Sequence, residues 1–133
     1  MPSVTFPASR RGQALVELAL LMPVLMLLAM ATLDVGRVFQ GYLDLANAAR
    51  EGAAYASLNP SDANLTTDVT NIMTTESNGL VPGTMNVTVS FSPDTSVGSQ
   101  VTVTATASYP LLTTAVLGWT SIDLKASAGM MVQ

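Results

Sequence analysis

The sequence contains no cysteine and no histidine. That removes thiol nucleophiles, disulfides and the usual zinc ligand sets, together with the side chain that most often moves protons near neutrality. Charge is also scarce, at 11% of 133 residues, against roughly a quarter in an ordinary soluble domain. The only cationic side chains are Arg10, Arg11, Arg37, Arg50 and Lys125, and the formal net charge is −4, so there is no basic patch for nucleic acid. Asp62, Asp68, Glu76, Asp94 and Asp123 lack the dense oxygen spacing of a calcium loop and read as solvated surface acids. The expectation is a protein that is not an enzyme, with no metal and no cofactor.

Apolar residues make up 49% of the chain. With so few charges to form a wet surface, much of it must be covered by lipid or by other subunits. From Ala14 to Leu33 runs ALVELALLMPVLMLLAMATL, in which Glu17 is the only charge. A helix of about 20 residues reaches about 30 Å, the thickness of one hydrocarbon core. Arg10 and Arg11 precede the run, while Asp34 and Arg37 follow it. The positive-inside bias therefore places the N-terminus in the cytoplasm and everything after the run outside.

Other readings of this run fit the residues less well. A secretory signal would have a shorter apolar core, although Ala29-Met30-Ala31 offers small residues for cleavage. Ser9-Arg10-Arg11 resembles part of a twin-arginine signal, but Gly12-Gln13-Ala14 is not its apolar continuation. A buried soluble helix leaves the charge asymmetry at the two ends unexplained.

Glu17 is the most informative residue, since a carboxylate near mid-bilayer costs on the order of 2.5 to 3.5 kcal/mol on insertion scales. It lies early in the run, where headgroups and the helix macrodipole relieve part of that cost. Taken alone, a helix-end role and a functional role weigh equally. The context Arg10-Arg11-Gly12-Gln13-Ala14-Leu15-Val16-Glu17-Leu18 resembles a class III prepilin signal. That resemblance implies a membrane peptidase that cuts between Gly12 and Gln13, and a glutamate at the fifth mature position, Glu17, used in subunit assembly.

The likeness narrows to TadE-like proteins of the tight-adherence pilus system. It rests on the pattern from Gly12 to Leu20, the internal Pro23, the Asp34-Val35-Gly36-Arg37 step and the downstream Asn47-Ala48-Ala49-Arg50-Glu51-Gly52-Ala53. It is strong over roughly the first 56 residues. Beyond them only a strand-rich pattern and the ending KASAGMMV are similar. The family implies a structural pilin or minor pilin (pseudopilin), anchored in the inner membrane and processed by a prepilin peptidase. It would then work with other pilin subunits and an assembly platform in a cell-surface pilus for adherence. The competing reading is a membrane-anchored extracytoplasmic binding domain that is never processed.

Past Leu33, Val35, Val38, Tyr42, Leu45, Ala49, Ala53 and Ala56 recur at intervals of three or four, which extends the helix with one buried face. Asn59-Pro60 ends it, because the residue before proline avoids the α region. From Gln13 to Leu58 the helix would reach about 69 Å, with a kink expected at Pro23. Ala48, Ala49, Gly52, Ala53 and Ala56 form a small-residue ridge for close packing, within the subunit or between subunits. Pro23, Asp34, Gly36 and Arg37 join Ala49, Gly52 and Ala53 as expected helix-packing positions.

Ser61 is expected to cap a second helix carrying Leu65, Val69, Ile72 and Met73, closed by Asn78-Gly79. The period then falls to two, along Met85 to Phe91, Val101 to Tyr109 and Ile122 to Ala128, giving three strands. A sheet with one apolar face needs a cover, and the alanine ridge supplies it. The expected fold is α+β and pilin-like: a long N-terminal helix packed on a small three-stranded antiparallel sheet, with a second short helix. Its parts are a leader (1–12), a transmembrane half-helix (13–34), an amphipathic half-helix (35–59) and an extracytoplasmic domain (60–133).

Overall fold

The structure is a computed structural model, and it describes residues 10–77, 85–113, 118 and 121–133. Helix α1 runs from Arg10 to Leu58, 49 residues without interruption, so at 1.5 Å per residue it is about 73 Å long. It begins three residues before the expected Gln13 and continues through Pro23. Its first half carries a bare apolar surface, with Leu15, Leu18, Leu20, Leu21, Leu25 and Leu28 all exposed. Thr32 is tolerated on this stretch because its hydroxyl donates to the Leu28 carbonyl one turn back, at 2.9 Å.

The second half of α1 is covered on one face. Leu45, Ala48, Ala49, Ala53 and Ala56 are fully buried, and Gly52 is buried with them. The ridge therefore packs inside the subunit, and its small side chains bring the neighbouring elements close to the helix backbone. The helix stops where expected: the amide and the side chain of Asn59 both donate to the Tyr55 carbonyl, at 3.1 and 3.0 Å.

Helix α2 spans Leu65–Glu76 and buries Leu65, Val69 and Met73. Its N-cap is Asn64 rather than Ser61. Asp62 accounts for the difference. Its carboxylate accepts the Asn64 amide at 2.9 Å and the Tyr55 hydroxyl at 3.3 Å, which uses residues 61 to 64 in a turn and delays the helix. On the solvated face, Thr70, Thr74 and Thr75 each donate to the carbonyl four residues earlier. The Asn78-Gly79 stop lies outside the described residues.

Strands β1 (Met85–Ser92), β2 (Gln100–Pro110) and β3 (Ser121–Met131) form one antiparallel sheet in the order β1-β2-β3. The register pairs Met85 with Ala107 and Ser92 with Gln100, then Gln100 with Met131 and Pro110 with Ser121. Central β2 has the clearest alternation, with Val101, Val103, Ala105, Ala107 and Tyr109 buried. Strands β2 and β3 lie on α1, while α2 packs on both α1 and β1. The chain is α+β, as its patterning implies. The end of β3 is tied in as well: Val132 donates to Ser99 at 2.8 Å and Gln133 to the Ser57 carbonyl of α1 at 3.1 Å.

Candidate functional site

The residues singled out in the sequence separate into three groups along α1. At its start, Arg10 and Arg11 lie in the helix. Gly12 and Gln13 follow, exposed, and the Gln13 side-chain amide donates to Glu17 at 3.4 Å. Glu17 is exposed, on the same bare surface as Leu15, Val16 and Leu18. Pro23 is exposed too. It forms, with Met26, Leu27 and Met30, a shallow notch of about 250 Å³.

About 26 Å along the axis from Glu17 lies the second group. Asp34 is buried, only 6% exposed. One of its carboxylate oxygens accepts the backbone amide of Leu112 at 2.7 Å and the other that of Thr113 at 2.9 Å. The donors come from the segment just past β2, so this one side chain ties the end of the sheet to the helix where the apolar half gives out. Arg37 lies one turn on, its guanidinium 3.7 Å from Asp34 and 5.5 Å from the Tyr109 ring centroid. Both carboxylate oxygens accept backbone donors, so Asp34 serves as a tie between sheet and helix. Gly36 faces open space, since a side-chain carbon there would meet nothing within 4 Å.

The third group is the ridge. Ala49 and Ala53 touch the core. Gly52 admits α2 so closely that a methyl group there would lie 2.9 Å from a Val69 methyl carbon. Gly41, which the residue pattern did not single out, does the same for the sheet: a methyl group there would sit 2.7 Å from the Tyr109 ring and 3.3 Å from Leu124. The available signal was a glycine kept in mid-helix despite a cost of about 1 kcal/mol relative to alanine. Leu112, Thr113 and Tyr109 were also missed as partners of Asp34 and Arg37. Leu111 is half-buried and Leu112 is exposed.

In the outer domain, Asp94 accepts the Ser96 amide at 2.9 Å, the Ser96 hydroxyl, and the Ser99 hydroxyl at 2.8 Å. The hydroxyl and amide of Ser96 and the hydroxyl of Ser99 hold its pKa below the usual carboxylate value, against a smaller opposing effect of burial. The Asn64 amide, with help from the Tyr55 hydroxyl, likewise outweighs burial and lowers the Asp62 pKa. Among the described residues, no group of three or more acids is placed to hold a metal ion.

In class, then, this is an α+β protein whose N-terminal helix is long and apolar enough to cross a membrane, with a small domain pinned to the helix at the end of its bare half. Residues 12–54 match the family model described as TadE-like protein. The match covers most of α1, from the glycine before Gln13 to Ala54 within the alanine ridge, and ends before α2 and the sheet. No curated protein and no solved structure matches the chain.

Proposed function

We propose that the chain is a structural pilin or minor pilin of the tight-adherence type, held in the inner membrane by the first half of α1 and used in assembly or initiation of a pilus. A structural role suits a molecule whose buried Asp34 commits both oxygens to backbone amides. The observation that carries the reading is the placement of Glu17: an exposed carboxylate on a helix otherwise covered in leucine, valine and methionine, five positions after Gly12. An anchor alone gains nothing from that charge. A subunit that must find one register among parallel apolar helices does, because an unpaired charge inside such a bundle is penalised by roughly 3 to 5 kcal/mol.

The partner would come from processing. Cleavage by a prepilin peptidase between Gly12 and Gln13 creates an α-amino group at Gln13, whose ordinary pKa of about 8 makes it mostly cationic at neutral pH. Offered to Glu17 of a neighbouring subunit, it would set the axial stagger. The Arg10-Arg11 leader stays cytoplasmic and the α+β domain faces outward, to reach the cell surface in the filament. Mass spectrometry of the native protein from cells that hold the cognate peptidase tests this reading. A chain beginning at Gln13 is expected; an intact leader would instead support an unprocessed, membrane-anchored binding domain.

A further inference from the structure

Beyond the assembly role stands an apolar groove at the junction of the two halves of α1. It has a volume of about 550 Å³, within the range of small-molecule sites. One wall is the helix stripe Ala31, Val35, Val38, Phe39 and Tyr42, and the other comes from the sheet end, with Leu111, Ile122 and Leu124. Tyr42 is seven residues before Ala49 and fourteen before Ala56, so the stripe continues the helix face that the sheet covers higher up. Here the cover falls short. Val35 is 71% exposed, Phe39 62% and Ile122 43%.

Three observations bear on the occupant. The first is height: the groove opens at Ala31, inside the last turn of the apolar span, and climbs past Leu33 by about 14 Å to Tyr42. Headgroup layers add about 5 to 7 Å on each side of a 30 Å core. The lower part of the groove therefore lies at the membrane boundary, and a helix tilt of the ordinary size, about 20°, would lower a wall about 10 Å to the side by about a further 3 Å if it leaned toward the sheet. The second is composition. Phe39, Tyr42 and Tyr109 gather at this level, where aromatic side chains form belts at membrane surfaces. The third is the scarcity of polar groups. Among the described residues the polar side chains of the wall are Asp34, Thr113 and Tyr42; the Asp34 oxygens accept the Leu112 and Thr113 amides, and Tyr42 is of the amphipathic type found at headgroup level. Asp123 and Lys125 alternate onto the other face of β3. The rest of the lining is apolar, which suits lipid chains, since they need no polar groups to orient them.

We infer that this groove is a membrane-contact surface, filled by acyl chains of the leaflet at which α1 leaves the bilayer, so that the sheet end rests in the lipid boundary and holds the domain at a fixed tilt. The inference rests on the membrane-anchored reading, and its test separates the two. The chain has no cysteine, so Phe39→Cys, Ile122→Cys, Leu21→Cys and Ser96→Cys each carry one environment-sensitive fluorophore in the full chain. All four positions are exposed, so the substitutions leave the core intact. Each variant is placed in phosphatidylcholine–phosphatidylglycerol vesicles, with or without a nitroxide on the upper acyl chain, and iodide serves as the aqueous quencher.

Probes at 39 and 122 are expected to be quenched by the lipid nitroxide several-fold more than the probe at 96, and several-fold less by iodide. Iodide quenching at 39 and 122 equal to that at 96, with position 21 quenched by lipid, overturns the groove proposal alone. Shielding of 39 and 122 from both quenchers, with position 21 quenched by lipid, also overturns it and makes the occupant a second copy of the chain. Absence of lipid quenching at 21 overturns the anchor, and the groove proposal with it.

Discussion

Replacing Asp34 with alanine removes the acceptor for two backbone amides that start 78 residues away in the chain, at Leu112 and Thr113. Hydrogen bonds to a charged acceptor are worth about 1.5 to 3 kcal/mol each, and a buried donor left without a partner costs about 1 to 3 kcal/mol. Thr113 is 6% exposed whereas Leu112 is 46% exposed, so water rescues the Leu112 amide more readily. The net loss is then about 2 to 4 kcal/mol rather than the doubled value. Arg37 changes this little: its partly exposed guanidinium is 3.7 Å from the carboxylate, and an ion pair so open to solvent on one side is worth about 0 to 1 kcal/mol. At 1.4 kcal/mol per factor of ten, local opening should rise roughly 30- to 700-fold. Amide hydrogen exchange in detergent micelles reads this directly, at Leu112 and Thr113 against Val103 in mid-sheet as an internal reference. Asp34→Asn, which keeps one acceptor oxygen, should fall between wild type and Asp34→Ala. If both amides keep wild-type protection in Asp34→Ala, the carboxylate does not hold the sheet end to the helix, and the reasoning fails.

The close approaches at the two glycines give a second test. Gly52→Ala pushes on Val69 and Met73, and Gly41→Ala on the Tyr109 ring and Leu124; each should cost about 1 to 3 kcal/mol in urea unfolding. Gly41→Ala should also alter the near-ultraviolet tyrosine signal. No loss at either position would mean that helix and sheet are not so tightly apposed. A third prediction concerns pH. The Asp94 carboxyl is held below its ordinary pKa in the folded chain by Ser96 and Ser99, so its stabilising contribution is complete above the unfolded value of about 3.9 and is lost as pH falls through the folded value. Asp94→Asn should therefore be less stable than wild type near pH 6, with the gap closing in acid below about pH 4; a gap that widens in acid would contradict the assignment.

Much of the fold was legible because it is written in local periods. The strict alternation from Val101 to Tyr109 and the three-and-four spacing from Val35 to Ala56 each specify one buried face; the first is buried throughout, the second only from Leu45 onward, with Val35 and Tyr42 exposed where the sheet ends. What stayed hidden depends on contacts distant in sequence. Asp34 beside Arg37 reads as a charge step at a membrane exit, and nothing near it reveals that residues 112 and 113 return to its carboxylate. Gly41 looks like a mild helix weakness until Tyr109 is placed against it. The α2 boundary was misjudged because Ser61, Asp62 and Asn64 are all good capping residues, and the choice among them is made by the Tyr55 hydroxyl and the Asn64 amide converging on Asp62. Glu17 as an assembly contact would take its partner from another subunit, whereas Glu17 as a helix-end charge would need none.

That distinction is measured most directly with Glu17→Ala in cells that form the pilus, by comparing the sheared filament fraction with the membrane fraction. Expression, membrane insertion and cleavage after Gly12 should be close to wild type, because the substitution makes the apolar run more apolar and leaves the Arg10-Arg11-Gly12 leader unchanged. The sheared fraction should fall sharply, since the α-amino group of Gln13 would be left unpaired within the helix bundle at a penalty of roughly 3 to 5 kcal/mol. Wild-type piliation by Glu17→Ala would contradict the assembly role and leave Glu17 as a charge at a helix end.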